Sequence, residues 1–121
     1  LMAPGCNFLK RWMKSLGWDR NSFDSTPEFI RVFHYSYNKE VNLNTRLFRD
    51  ALNWESTPLI RNIPTRVVHG IHDESVNIQE SRNFVSTRPW CELKEVDSDH
   101  GLLSEIDWIV EDCLEFFLLH V

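Results

Sequence analysis

The sequence predicts an α/β fold, and three features of its second half carry that expectation. Thr65-Arg66-Val67-Val68-His69 is a short β-branched run bounded by Pro64 and Gly70, and Cys91-Glu92-Leu93-Lys94-Glu95-Val96 reads as an alternating strand. Between them, Glu80 to Val85 belongs to a helix that begins near Asn77 and stops before Pro89. Ser104 to Leu119 forms a last, amphipathic helix, with Ile106, Ile109, Val110, Cys113, Phe116 and Phe117 at core spacing and Trp108 also assigned to the core. Strand, helix, strand, helix implies two parallel strands joined by a right-handed crossover, a short parallel sheet flanked by helices.

The first half is read in order from its start. Leu1-Met2-Ala3-Pro4 looks like the tail of an apolar strand running into a Pro4-Gly5 turn, which suggests the later part of something longer. From Phe8 to Leu16 the apolar residues Phe8, Leu9, Trp12, Met13 and Leu16 fall at helical spacing, with Lys10, Arg11 and Lys14 on the other face and Gly17 as the stop. Thr26-Pro27-Glu28 has the form of a helix start, Thr26 as cap and Pro27 at the first helical position. Thr45 to Trp54 presents Leu47, Phe48, Ala51 and Leu52 on one side of a further helix. Residues 18–55 are therefore expected to be short helices and loops lying over a scaffold.

Composition narrows the function classes. With 121 residues the chain suffices for one compact domain, and 42% hydrophobic with 26% charged residues excludes a disordered or collagen-like chain. Thirteen Lys and Arg against 18 Asp and Glu give a net charge of -5, which argues against a broad nucleic-acid or anionic-membrane surface. No apolar run approaches the roughly 20 residues of a membrane span, and no basic-then-apolar leader opens the chain, so a cytoplasmic protein is expected. Cys6, Cys91 and Cys113 are odd in number and lack CxxC spacing, so they are expected to be reduced, mostly buried thiols and not a disulfide or zinc framework.

The chemistry gathers in two loops at the carboxyl ends of the two strands: His69-Gly70-Ile71-His72-Asp73 and Asp97-Ser98-Asp99-His100-Gly101. Reactive groups of an open parallel sheet collect at that edge, and adjacent strands lie about 4.8 Å apart. A carboxylate leaving one strand can thus reach an imidazole leaving its neighbour. An acid held against one ring nitrogen fixes the histidine tautomer and leaves the other nitrogen as a base. Asp73 and His100 are the expected pair, with Asp73 within about 3.5 Å of a ring nitrogen of His100.

These residues resemble a known family. Ile63-Pro64-Thr65-Arg66-Val67-Val68-His69-Gly70-Ile71-His72-Asp73-Glu74-Ser75-Val76 resembles the acid loop of the α/β-hydrolase superfamily, where a strand preceded by proline delivers an H-G-x-x-D segment whose Asp is the triad acid. Val96-Asp97-Ser98-Asp99-His100-Gly101-Leu102 is similar to the histidine loop of that family, and Leu1-Met2-Ala3-Pro4 to the strand soon after its nucleophile elbow. The resemblance implies that the chain is the C-terminal portion of an α/β-hydrolase fold, with 18–55 a small helical cap insertion and 59–121 the acid and histidine half of the core. It further implies a serine hydrolase with a small-molecule ester, or secondarily amide, substrate and no cofactor; no metal is expected from the ligand spacing and no nucleic acid from the net charge.

One part of the family pattern is missing. The nucleophile of the family sits in a G-x-S-x-G elbow. Gly5, Gly17, Gly70 and Gly101 are the only glycines, so the 121 residues hold no such elbow. The expectation is a partial sequence whose serine lies outside the chain, and which self-associates through surface that the missing strands would cover. The alternatives are a non-catalytic hydrolase-fold binding module and an inactive fragment.

Blander assignments compete at each position. Asp73 alone suits a turn or helix cap, and Asp97 and Asp99 are rival acids, though Asp99 adjoins His100 and neighbouring side chains diverge. His69, His72, Asp73 and His100 could be metal ligands, but Gly70 disfavours the helix that H-x-x-H spacing needs. His69 is expected to pack at the strand end and His72 to be exposed. Cys6 is followed two positions later by bulky Phe8, unlike a nucleophile elbow. Phe29, Phe33, Tyr35, Tyr37 and Phe48 either line an acyl pocket or, as favoured, simply pack.

Overall fold

The computed structural model describes residues 1–34, 37–54 and 61–120. They fall into two compact units: Asn7–Pro58, and Leu1–Cys6 together with Leu59–Val121.

The Asn7–Pro58 unit opens with helix α1 (Phe8–Leu16), which ends at Gly17. Gly17 adopts φ 66°, a left-handed conformation that glycine takes without strain, and the Trp18 N–H closes the turn on the Met13 carbonyl at 2.9 Å. The buried side of α1 presents Leu9, flanked by Phe8, Trp12, Met13 and Leu16, to Phe23 and Phe48. A short 3-10 turn, Ser22–Ser25, follows.

The expected helix at Thr26-Pro27 is not formed. Thr26 is extended (φ -73°, ψ 144°), and strand β1 (Phe29–His34) pairs antiparallel with β2 (Lys39–Asn44), Phe29 opposite Asn44 and His34 opposite Lys39. The β-branched and aromatic content of Phe29-Ile30-Arg31-Val32-Phe33 overrides the capping signal before it. Buried Thr45 secures the strand entry by donating its hydroxyl to the Pro27 carbonyl at 2.7 Å. Helix α2 (Arg46–Trp54) then returns Phe48 to the core. Residues 18–55 thus contain a hairpin as well as helices, and the unit also takes in α1; Tyr35, Glu55 and Pro58 lie outside the described residues.

The second unit holds the parallel sheet. Strands β3 (Thr65–Gly70) and β4 (Cys91–Val96) pair in register from Thr65 opposite Cys91 to Gly70 opposite Val96, joined through helix α3 (Gln79–Ser86). The opening residues reduce to one parallel bridge, Met2 with Val68, in which the Ala3 N–H reaches the Val68 carbonyl at 2.9 Å. A 3-10 turn (Leu103–Glu105) leads into α4 (Ile106–His120). The chain is therefore mixed α/β, the described residues forming one parallel and one antiparallel two-stranded sheet. No helix among the described residues is long and apolar enough to cross a membrane.

The inner line of α4 differs from the expected one. Ile109 and Asp112 are buried and Cys113 packs against the cluster of Ala3, Val68, Val96 and Leu102, whereas Ile106, Trp108, Val110 and Phe117 are exposed. Apolar residues surround this helix, so their spacing did not select a face. Asp112 takes an inner position because Arg66 of β3 meets it in a buried ion pair, with the guanidinium also 5.2 Å from the Phe116 ring. All three thiols are free, but Cys6 is exposed and Cys91 and Cys113 are only half-buried, against the expectation of burial.

Candidate active site

β3 ends at Gly70, and the chain there is stitched to the segment leaving β4. Ile71 donates its N–H to the Val96 carbonyl at 2.9 Å, and His72 to the Ser98 carbonyl at 3.0 Å. A Cβ on Gly70 would stand 2.2 Å from the Ser98 carbonyl oxygen, so only glycine lets the two loops approach this closely. The Asp73 N–H then turns back to the Gly70 carbonyl at 3.3 Å.

The Asp73 carboxylate is held on all sides. Oδ1 accepts the N–H groups of Ser75 (2.8 Å) and Val76 (2.7 Å), so Asp73 does serve the turn as the bland reading anticipated. Oδ2 meets His100 Nδ1 at 2.8 Å and His69 Nε2 at 3.1 Å. The side chain is 0% exposed. Burial pushes its pKa up, but the Val76 N–H, the His100 hydrogen bond, the Ser75 N–H and the His100 charge together hold it below the ordinary carboxylate value.

His100 stands at the rim, its side chain 50% exposed. Its loop is shaped by Asp99, whose Oδ1 accepts the Gly101 N–H at 2.9 Å, and by buried Ser98, which accepts the Ser104 hydroxyl at 2.8 Å. Leu102 then takes φ 56°, unfavourable for a branched residue, while its side chain is buried in the core cluster. With Nδ1 on Asp73, His100 has no hydrogen-bond partner for Nε2 among the described residues. The ring lines an open cleft of about 440 Å³ with His72, Glu74, Ser75, Asp99 and Gly101.

The rival acids are occupied elsewhere. Asp97 pairs with His72 at 2.7 Å, both side chains well exposed, and Asp99 serves its own loop. His69 is fully buried and His72 exposed, as expected from their positions. Among the described residues no group of three or more His, Cys, Asp or Glu side chains is arranged to hold a metal ion. The Cys6 thiol is pushed up, first by partial burial and then by the Glu80 carboxylate, away from an activated thiolate. Of the aromatic residues, Phe48 is buried and Phe29, Phe33 and Tyr37 are exposed; Tyr35 lies outside the described residues.

A serine–histidine–aspartate grouping that shares Asp73 lies beside the pair, and the sequence did not reveal it. Ser81 of α3 is 2.6 Å from His69 Nδ1, while His69 Nε2 faces both the Val76 carbonyl (2.9 Å) and Asp73. It is not a nucleophilic triad. Ser81 and His69 are 0% exposed, and the ring is reversed, its Nδ1 and not its Nε2 toward the hydroxyl. The available signal was the helical phase of Ile78, Ser81 and Val85, which puts Ser81 on the inner line of α3.

What the arrangement can do follows from these distances. The buried carboxylate accepts the Nδ1–H of His100, leaving an accessible Nε2 lone pair that can take a proton as the carboxylate stabilises the resulting imidazolium. No protein-family model, curated protein or solved structure matches the chain.

Proposed function

We propose that Asp73 and His100 are the acid and base of a serine hydrolase of the α/β-hydrolase type, acting on a carboxylic ester, with the serine contributed from outside these 121 residues. The supporting observation is the 2.8 Å bond between a buried, multiply held carboxylate and Nδ1 of a half-exposed histidine, at the ends of two paired parallel strands. In this reading His100 Nε2 takes the serine proton as the oxygen attacks the ester carbonyl. The proton then passes to the departing alkoxide as the ester C–O bond breaks, and the same nitrogen activates water to release the acyl group. Asp73 keeps its charge throughout and orients the ring.

The test is hydrolysis of short-chain nitrophenyl esters by the protein made from the complete reading frame and by the 121 residues alone. The reading expects an upstream G-x-S-x-G segment, turnover by the former and none above buffer by the latter. A complete reading frame without that segment and without turnover overturns it in favour of a binding module.

A further inference from the structure

We propose that His69 is a positioning residue for the Asp73–His100 pair: a buried ring, set in place by Ser81, whose Nε2–H bonds the carbonyl of Val76, the residue whose N–H holds Asp73 Oδ1, and stands against the inner side of Asp73 Oδ2, so that this oxygen stays turned toward His100.

Two acceptors face His69 Nε2, the Val76 carbonyl at 2.9 Å and Asp73 Oδ2 at 3.1 Å, so that nitrogen must carry a hydrogen. A bare Nε2 would set three lone pairs against one another in a site with no water access, since His69 and the Asp73 side chain are both 0% exposed. Ser81, also buried, partners Nδ1 at 2.6 Å and fixes the ring plane from α3. Asp73 is thereby supplied with three hydrogen-bond donors, Ser75 and Val76 on Oδ1 and His100 on Oδ2, and the Nε2 of His69, hydrogen-bonded to the Val76 carbonyl, stands 3.1 Å from the inner side of Oδ2. Without His69, the Val76 carbonyl loses its buried partner and the inner side of Oδ2 loses its polar neighbour, leaving His100, on a half-exposed side chain, to orient that oxygen. A histidine that orients another ligand through a shared group is the logic of outer-shell support.

The inference uses the acid–base reading only in that this pair is what His69 positions, and its test reads ring protons and not ester turnover. Long-range nitrogen–hydrogen NMR of the ¹⁵N-labelled full chain reports which nitrogen of each ring is protonated. The expected result is Nε2–H on His69 and Nδ1–H on neutral His100. His69→Gln places an amide donor near the Nε2 position and keeps the His100 pattern. His69→Asn reaches only the Nδ1 position, and lowers the Nδ1–H share of neutral His100 by about twofold or more. Ser81→Ala gives an intermediate loss and is small enough to preserve folding. A bare Nε2 on His69, or the same His100 tautomer in the Asn, Gln and Ser81→Ala proteins, overturns the proposal. Those results are independent of whether a serine outside the chain is activated.

Discussion

At Asp73, burial alone would favour the neutral acid; the hydrogen bonds and the adjacent histidine reverse that preference. Because the folded value is lowered, its contribution to stability is full above the ordinary aspartate value of about 3.9 and is lost as the pH falls through the lower folded one. Asp73→Asn should therefore flatten the acid limb of a stability–pH curve and cost about 1–3 kcal/mol near neutrality, because the amide presents a donor where Oδ2 accepts from His100. Denaturant melts at a series of pH values measure both effects. Gly70 carries a second residue-level prediction. Gly70→Ala forces a methyl group into the Ser98 and Asp99 carbonyls and should cost at least about 1–3 kcal/mol while separating the acid and histidine loops. Loss of the Asp73–His100 hydrogen bond in the NMR spectrum would accompany it; an unchanged bond would mean the loops do not depend on this contact. The sequence marked Asp73, His100 and Gly70 because each sits in a loop at a strand end. It left His69 as packing and Ser81 unnoticed, since a hydrogen bond between strand and helix has no spacing of its own.

The elements were legible where period and punctuation agreed. β3 lies between Pro64 and a glycine end, α3 stops before Pro89, and α1 ends at Gly17. The β1–β2 hairpin was missed because Thr26-Pro27 suits a helix start in isolation, and only cross-strand pairing with residues 39–44 decides against it. The inner line of α4 was missed for a different reason: its buried anchor is charged. Arg66 is 13% and Asp112 7% exposed; Arg66 also reaches the exposed Glu92 carboxylate at 3.0 Å, but truncating Arg66 leaves Asp112 buried without its ion-pair partner. Arg66→Met should thus cost about 3–5 kcal/mol, and adding Asp112→Leu should recover most of it. A double-mutant cycle measured by melts distinguishes this from simple loss of the Phe116 contact, for which no recovery is expected. The histidine loop depends on the buried side chain of Leu102 despite its left-handed backbone, so Leu102→Ala should cost about 2–5 kcal/mol.

For the molecule as a whole, the conspicuous surface is α4. Val110, Leu114, Phe117 and Leu118 are exposed on one helix, and an apolar groove of about 210 Å³ runs beside it between Met2, Val68, Cys113 and Phe116. Apolar surface of this kind drives association, and a net charge of -5 only partly opposes it. The 121-residue chain is expected to self-associate in light scattering and to bind hydrophobic dyes, with Leu114→Lys and Leu118→Lys together shifting it toward monomer. A monodisperse, dye-negative wild-type chain would contradict this. Mixed α/β architecture was legible from the sequence because strand and helix periods alternate cleanly after Pro64; the exposed face was not, because apolar residues encircle α4. The central claim, that Asp73 and His100 activate a serine, is tested most directly by the rate at which a fluorophosphonate labels the protein made from the complete reading frame. The account predicts one labelled serine outside residues 1–121 and a fall in labelling rate on the order of 10³-fold or more in His100→Ala. No labelled serine, or labelling undiminished by that substitution, would contradict it.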